Sequence, residues 1–506
     1  MKITRIQKNA FLSAVVFGFL AYGYMITNKI TSNDDIGFLY GSGGGIYNGR
    51  WMLWVYDQFF QMINSPWSNG LLFIFLLAAS AMIIVDLFDI KNSLAAVAIG
   101  AAWMVFPSNI STLFYMFTAV PYAVGIVLSI SAAYIAGKKK GFLASQVSVV
   151  CIVLSLGCYQ AYYSATAGVL LIVLLQYVFQ KDVLPQQIMK KAVYFLGILV
   201  EGMLGYLFIQ KVLVLVFQIE VTDYNNLSTM GLLNLNELFH QVERAYENSF
   251  HFWESISSSS RFFKAVDIVI CLLLIIVFLC SVIKFVYKKN YFKLLFAILL
   301  FLIFPIACSL VYLYGASGVH TLMCLGNFCP ILLLLCTADQ INLMKVTARQ
   351  KICTVQIICI LSMILSLYNC ILSSRVYLQQ EYIVNASIQY LSTLVSQIKS
   401  VEDYEAGLPV AFVGICSDPG IQDIDNLYIQ TNLVGENTMQ HVINIATNYD
   451  WCKAMFFQKF IGFSADFVDS NSCEQLKEDF RIQNMPTYPN AGSVQKMDRM
   501  IVVRFS

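Results

Sequence analysis

Two adjacent carboxylates, Asp34 and Asp35, follow the first long apolar run of the chain. Arg50 comes soon after them within the tripeptide Gly-Arg-Trp. A carboxylate there could act as the general base that takes the proton from a sugar hydroxyl attacking an anomeric carbon. An arginine nearby can hold a phosphate through paired hydrogen bonds. The structural alternative is a solvated loop in which Asp34 caps a short helix.

The composition limits the class of protein that carries these residues. Of 506 residues, 58% are hydrophobic and only 12% are charged, whereas a soluble domain has about a quarter charged residues. This excludes a soluble enzyme, a disordered chain and a nucleic-acid binder. The composition predicts a polytopic membrane protein.

Apolar runs of membrane-spanning length recur along most of the sequence. We predict about eleven spans, at about 10–29, 70–88, 94–110, 113–136, 142–158, 161–179, 192–217, 265–287, 294–314, 320–337 and 352–373. The predicted fold class is an all-α polytopic membrane protein with a small extracytoplasmic α/β domain at its C-terminus. The transmembrane domain would cover 1–373 and the C-terminal domain 374–506.

The basic residues predict the orientation of these spans. With the N-terminus in the cytoplasm, the inner connections hold seventeen Lys and Arg residues and the outer loops four, as the positive-inside rule requires. Loops 30–69 and 218–264 and the whole tail then lie outside. In the tail, Tyr382 to Ser400 predicts an amphipathic helix, and Pro409–Gly414 and Met500–Arg504 predict strands.

Several further residues at the predicted outer surface suit a lipid or a sugar. The run from Trp51 to Phe60 resembles a helix lying in the membrane interface, either as an anchor or as a groove wall with Trp51 and Trp54 as its aromatic faces. Lys211 either extends outward to the interface or meets a lipid phosphate. His320, at the start of the tenth span, is either an interface residue or a phosphate ligand.

The His, Cys, Asp and Glu residues show no spacing typical of a metal site. His240 and His251 are eleven residues apart, which on one continuous helix is about 16 Å. We therefore expect no cofactor and no divalent metal.

The Asp pair, Gly49-Arg50-Trp51, the span number and the outer tail resemble the membrane-embedded C-type glycosyltransferases (GT-C). More narrowly, the sequence resembles the type II Gtr glucosyltransferase family, known from serotype conversion of bacterial O-antigens. The closest local match is Ser155 to Ser164, whose Tyr159-Gln160 core recurs in that family at a turn between two spans. The resemblance covers about residues 1–375 in layout.

The resemblance implies an inverting hexosyltransferase of the bacterial cytoplasmic (inner) membrane. Its donor would be a polyprenyl-phosphate sugar such as undecaprenyl-phosphate glucose, and its acceptor a cell-surface polysaccharide on the outer face, as in O-antigen modification. A first-loop Asp would be the base, which maps to Asp34 or Asp35. Tyr159 and Gln160 would join the sugar or lipid groove, and a donor synthase and a flippase would be partner proteins. Relatives are expected to carry an arginine where this chain has His320.

Two other functions remain open from the sequence. A transporter or flippase of lipid-linked glycans would place charges along a central cavity and often show repeated halves. A polymerase of such glycans would use a large outer loop with arginines, of which loop 218–264 has two. The sequence specifies neither the donor sugar nor the acceptor.

Overall fold

The computed structural model describes residues 3–28, 35, 45–60, 64–180, 182–221, 235–257, 261–314, 319–342, 348–416, 447 and 449–506. These residues form two compact units. The first comprises the described residues of Met1–Thr27 and Tyr40–Ser374, and the second those of Asn28–Leu39, Arg375–Gln430 and Glu436–Ser506.

The first unit consists of helices joined by short turns. Its described α-helices are α1 (Arg5–Thr27), α2 (Trp51–Phe60), α3 (Pro66–Leu87), α4 (Ser93–Met104), α5 (Pro107–Leu113), α6 (Ala119–Lys138), α7 (Phe142–Cys158), α8 (Tyr163–Phe179), α9 (Pro185–Phe217), α10 (Leu235–Ser257), α11 (Arg261–Tyr287), α12 (Tyr291–Cys308), α13 (Cys329–Asn342) and the part of α14 (Ala348–Lys399) up to Ser374. Tight 3₁₀ turns occur at Ile46–Asn48, Met116–Thr118, Gln160–Tyr162, Leu310–Tyr314, Thr321–Met323 and Leu325–Phe328.

Each of the eleven apolar runs overlaps at least one helix among the described residues. Within the described residues, eight helices are long and apolar enough to cross a membrane, and α4 and α5 form a further pair bent by 42°. Two shorter apolar helices lie at Phe142–Cys158 and Leu325–Gln340. The chain is thus a helical polytopic membrane protein, while the number of crossings stays a prediction.

Small residues let the first helices approach closely. An added Cβ at Gly100 in α4 would lie 2.2 Å from the carbonyl oxygen of Ala10 in α1. Two side chains of α1 donate hydrogen bonds to α4 carbonyls near this contact: Ser13 Oγ to Val97 O at 2.8 Å and the Tyr22 hydroxyl to Met104 O at 2.5 Å. Close backbone approach and hydrogen bonds between helices are the usual basis of packing in a membrane.

Several predicted spans are interrupted or preceded by non-helical backbone. The third is broken before Pro107, because a proline removes a backbone donor and clashes with the preceding turn. The tenth predicted span begins with 3₁₀ turns before α13. The ninth predicted span is α-helical only as far as Cys308, and a 3₁₀ turn follows. The turn Gln160–Tyr162 contacts Leu310–Tyr314 and Leu325–Phe328. Interruptions from three parts of the chain therefore meet.

The second unit contains the later part of α14 and a three-stranded sheet. The strands are β1 (Val410–Val413), β2 (Val494–Met497) and β3 (Met500–Arg504), in the order β1-β3-β2. β1 runs parallel to β3, and β2 runs antiparallel to it. The predicted strands at 409–414 and 500–504 are confirmed, and β2 is an addition. The predicted helix at 382–400 is confirmed as part of α14, which is continuous with the last apolar run.

Short helices cover this sheet: α15 (Asp450–Phe456), α16 (Ser470–Leu476) and α17 (Phe480–Gln483). Asp450 accepts hydrogen bonds from Ser470 N at 3.0 Å and from Lys453 Nζ at 3.0 Å. Burial raises the pKa of Asp450, but the hydrogen bonds from Ser470 and Lys453 outweigh it, so the net pKa lies below the usual value. Because the folded pKa is lowered, these contacts stabilise the fold at neutral pH and are lost as pH falls through that pKa.

We predict that Gly100→Ala weakens the packing of α1 on α4. The added methyl group meets a backbone oxygen, which cannot move aside as a flexible side chain would. The free energy of unfolding should fall by about 1–3 kcal/mol, seen as a lower melting temperature of the purified full-length chain. The matched control is Gly23→Ala, because a Cβ there meets nothing within 4 Å. Equal melting temperatures for the two variants would contradict this packing.

Candidate active site

The described part of the first loop ends in a compact turn that leads into α2. Gly49 has φ +74°, a left-handed conformation that glycine adopts without strain. The Asn48 side-chain oxygen accepts hydrogen bonds from Gly45 N at 3.2 Å and Arg50 N at 3.3 Å, and Arg50 N also lies 3.1 Å from Gly45 O. The turn thus fixes the backbone from which the Arg50 side chain projects.

Side chains from elsewhere in the bundle hold this turn by its carbonyl groups. Gln160 Nε2 donates to Asn48 O at 3.1 Å and to the Tyr206 hydroxyl oxygen at 2.9 Å. The Tyr206 hydroxyl in turn donates to Gly49 O at 3.0 Å. One helical turn further along α9, Gln210 Nε2 donates to Ile46 O at 2.7 Å. Three carbonyl groups of this short turn therefore accept hydrogen bonds from side chains, as an apolar environment requires.

Arg50 lies above a group of stacked tyrosines. Its guanidinium carbon is 4.8 Å from the ring centroid of Tyr159. Tyr159 stacks on Tyr122 with centroids 4.6 Å apart and meets Tyr162 edge-on at 5.3 Å. A cation over an aromatic face is stabilised by about 0.5–2 kcal/mol, more when water is excluded. The tyrosines hold a permanent positive charge at the start of α2, where it suits a phosphate.

The two predicted tryptophans have different surroundings. Trp51 is 5% exposed, and an added Cβ at Gly157 in α7 would lie 2.7 Å from its ring. Trp54 packs edge-on against Phe217 at the end of α9, with ring centroids 5.2 Å apart. Both rings thus fix α2 on the bundle, while Phe59, 77% exposed, extends from its other end. An exposed apolar end is typical of a helix in the membrane interface.

The other predicted site residues are placed as follows. Asp34 lies outside the described residues. Asp35 is helical, 1% exposed and part of the second unit. Lys211 follows Gln210 on α9 and is exposed, and His320 is half-buried where the 3₁₀ turn Thr321–Met323 begins.

The structure brings Arg50, Trp51, Tyr159 and Gln160 into one cluster, as their predicted roles at a shared site require. It adds Tyr206 and Gln210, which sequence reasoning missed. The sequence did contain a pattern that indicates Tyr206 and Gln210, because polar residues four positions apart in an apolar helix lie on one face. The roles of all these residues in catalysis or binding remain predictions.

The fold defines a helical polytopic membrane protein in which the turn at residues 45–50 is held by side chains of the helix bundle. A family model described as Glucosyl transferase GtrII matches residues 23–331, more than half of the chain. The protein therefore belongs to the GtrII glucosyl transferase family, and the resemblance to the type II Gtr family is confirmed. The matched region includes Arg50, Tyr159, Gln160 and Tyr206. No curated protein and no solved structure matches the chain significantly.

We predict that Tyr206→Phe loosens the first-loop turn. The substitution removes the hydroxyl that accepts from Gln160 and donates to Gly49. A lost hydrogen bond of this kind costs about 1 kcal/mol, so amide hydrogen exchange at residues 48–50 should become about fivefold faster. The control is Tyr163→Phe, whose hydroxyl donates to Leu199 O in α9 at 2.8 Å. Equal exchange at the turn in both variants would show that Tyr206 does not hold it.

Proposed function

We propose that the protein transfers glucose from a polyprenyl-phosphate donor to a cell-surface polysaccharide, with inversion, on the outer face of the bacterial cytoplasmic membrane. Membership of a glucosyl transferase family supports the transferase activity. The observation that carries the donor assignment is the Arg50 guanidinium, held over Tyr159 on a turn fixed by Gln160 and Tyr206. Such a charge suits the phosphate of a lipid-linked sugar.

The proposed reaction is a single displacement at the anomeric carbon. A hydroxyl oxygen of the acceptor forms a bond to C1 of the sugar while the bond from C1 to the phosphate oxygen breaks. The phosphate leaves with the electron pair, still joined to its polyprenyl chain. The hydroxyl proton passes to a carboxylate. Attack from the face opposite the leaving group inverts the configuration at C1.

A first-loop carboxylate is the proposed base. Asp35 is 1% exposed, and Asp34 is its neighbour in the sequence. A carboxylate at this position could accept the proton of the acceptor hydroxyl during the reaction. The alternative for Asp34 is the helix cap considered from the sequence.

The phosphate leaving group needs positive or hydrogen-bonding groups that face the charge developing on it. Arg50 supplies a bidentate donor, and Lys211 and His320 are proposed as further donors. Arginine and lysine neutralise phosphate charge without a metal ion, so the proposal has no divalent cation. Trp51, Trp54, Tyr159 and Gln160 are proposed to line the sugar or lipid groove.

The proposed orientation follows from the seventeen-to-four distribution of basic residues. It places the N-terminus in the cytoplasm and the first loop and C-terminal unit outside. Nucleotide sugars are cytoplasmic, so transfer outside needs a donor delivered on a lipid. A synthase that makes the lipid-linked glucose and a flippase that moves it across the bilayer are the proposed partners.

We predict that replacing the catalytic Asp abolishes transfer without unfolding the protein. Asp34→Asn and Asp35→Asn keep side-chain size and remove the basic oxygen. The variant that lacks the base should lose about 10²–10⁴-fold in kcat, measured as radiolabelled glucose moved from polyprenyl phosphate to glycan in membranes without other glucosyltransferases. The other variant should retain most activity. Full activity in both would place the base elsewhere, and no transfer by wild type from this donor would reject the proposed function.

We predict that Arg50→Lys weakens donor use although it keeps the charge. Lysine has neither the planar fork that binds phosphate bidentately nor the flat face that stacks on Tyr159. The KM for the polyprenyl-phosphate donor should rise about tenfold, which corresponds to about 1.4 kcal/mol. Arg244→Lys, an exposed change on α10, is the matched control and should leave KM unchanged. An unchanged KM for Arg50→Lys would contradict the phosphate role.

A further inference from the structure

A cavity of about 270 Å³ lies between α10, α11, α12 and the start of α13. Its wall is almost wholly hydrocarbon, with the rings of Phe278, Phe301 and Phe304 among the lining side chains. Ile275 and Phe250 also line it and are 52% and 64% exposed. The cavity therefore reaches the surface of the bundle through apolar side chains.

The wall contains a polar group that is not satisfied by the described part of the chain. Asn327 lines the cavity, is 2% exposed, and its Nδ2 has no hydrogen-bond partner among the described residues. Its other amide atom, Oδ1, accepts from Ser309 Oγ at 3.2 Å. Ser249, also in the wall, is already bonded to Ser309 at 2.7 Å and to Pro305 O at 3.1 Å. A buried donor left unpaired destabilises the folded protein, so this position suits a ligand with an acceptor oxygen.

The position of Asn327 connects the cavity with the Arg50 cluster. Asn327 lies in the 3₁₀ turn Leu325–Phe328, which contacts the turn Gln160–Tyr162. The latter turn directly follows Tyr159, over whose ring the Arg50 guanidinium lies. Asn327 thus lies on a 3₁₀ turn that packs beside the proposed phosphate site.

The size and the mouth of the cavity favour a lipid chain over a free small molecule. An apolar cavity of about 150 Å³ holds one benzene molecule, so this one holds about ten carbon atoms, or about two isoprene units. Only 12% of the apolar stretch of helix α11, which lines the cavity, is buried within the protein. A helix so little covered by protein faces the acyl chains of a membrane, so a ligand would enter from the bilayer.

We propose that this cavity binds the first isoprene units of the polyprenyl-phosphate donor, with Asn327 Nδ2 donating to an oxygen of its head group. The inference rests on the proposed function and extends it to the residues that select the lipid. The walls of α11 and α12 hold the chain, and Asn327 sets how far it enters. The cavity is therefore a specificity site for an isoprenoid carrier.

The test uses the full-length protein in lipid nanodiscs and a probe without sugar. The probe is a polyprenyl monophosphate that carries a photoreactive diazirine in its second isoprene unit. Leu274→Trp fills the cavity from α11, and Ile276→Trp adds the same ring two residues away, at an exposed position outside the lining. Asn327→Asp keeps the oxygen that accepts from Ser309 and replaces the unpaired donor.

Wild type and Ile276→Trp should be labelled on peptides of α11 or α12, and an excess of unlabelled polyprenyl phosphate should compete. Leu274→Trp should reduce this labelling at least tenfold, and Asn327→Asp should weaken competition about tenfold. Labelling that is equal in Leu274→Trp and Ile276→Trp would overturn the inference. If the Leu274→Trp and Ile276→Trp proteins have the same gel-filtration elution volume and the same melting temperature, misfolding is excluded as the cause of a loss of labelling.

The glucose-transfer assay separates this inference from the proposed function. If wild type transfers glucose from the lipid donor but Leu274→Trp and Ile276→Trp have the same KM for it, the cavity assignment is wrong and the function stands. If wild type transfers no glucose from the lipid donor, the proposed function fails whatever the probe labels.

Discussion

The structure depends on hydrogen bonds from side chains to the backbone of the first loop where that loop enters the bundle. A segment that leaves helical geometry among apolar helices exposes carbonyl and amide groups with no water to receive them, at a cost of several kcal/mol each. Gln160, Tyr206 and Gln210 meet this requirement for residues 46–49. These three residues come from two other parts of the chain. The turn is therefore held in a single position only when α7, α8 and α9 pack together.

The packing of α7, α8 and α9 also explains where the positive charge of Arg50 lies. The tyrosines under Arg50 are buried and present ring faces that stabilise a cation. Gly157 leaves room for the Trp51 ring, which draws the start of α2 against α7. Arg50 is thereby held on a rigid support. A charge fixed in a site of low dielectric acts on a phosphate more strongly than one on a mobile surface side chain.

The sequence predicted the helices well because long apolar runs leave little choice of structure. It predicted β1 and β3 from their continuous apolar residues, whereas β2 contains Gln495 and Lys496 and shows no such run. It did not predict that α14 continues through the polar residues near Arg375. The helix break before Pro107 follows from the local geometry of proline. The 3₁₀ turn Leu325–Phe328 is surrounded by other parts of the bundle, and no local pattern in the sequence predicts it.

The candidate site was predictable only in part. Arg50, Trp51, Tyr159 and Gln160 stood out by residue type and by family resemblance, and the structure places them together. Tyr206 and Gln210 share one face of an apolar helix, but that spacing does not name their partners, and Asn327 lies beside an apolar run as a single polar residue. Only the structure gives the surroundings of these side chains: the carbonyl groups of a distant turn for the first two, and a cavity wall for the third, whose amide nitrogen has no hydrogen-bond partner among the described residues.

The measurement that tests the account most directly compares two glucose donors with the wild-type protein. Membranes from a host without other glucosyltransferases and without lipid-linked glucose would receive either radiolabelled polyprenyl-phosphate glucose or a radiolabelled nucleotide diphosphate glucose, with the same acceptor glycan. Label should enter the glycan from the lipid donor alone. Transfer from the nucleotide sugar in the absence of any lipid-linked intermediate would contradict the proposed function, because the proposed phosphate site at Arg50 and the proposed lipid cavity would then have no donor to bind.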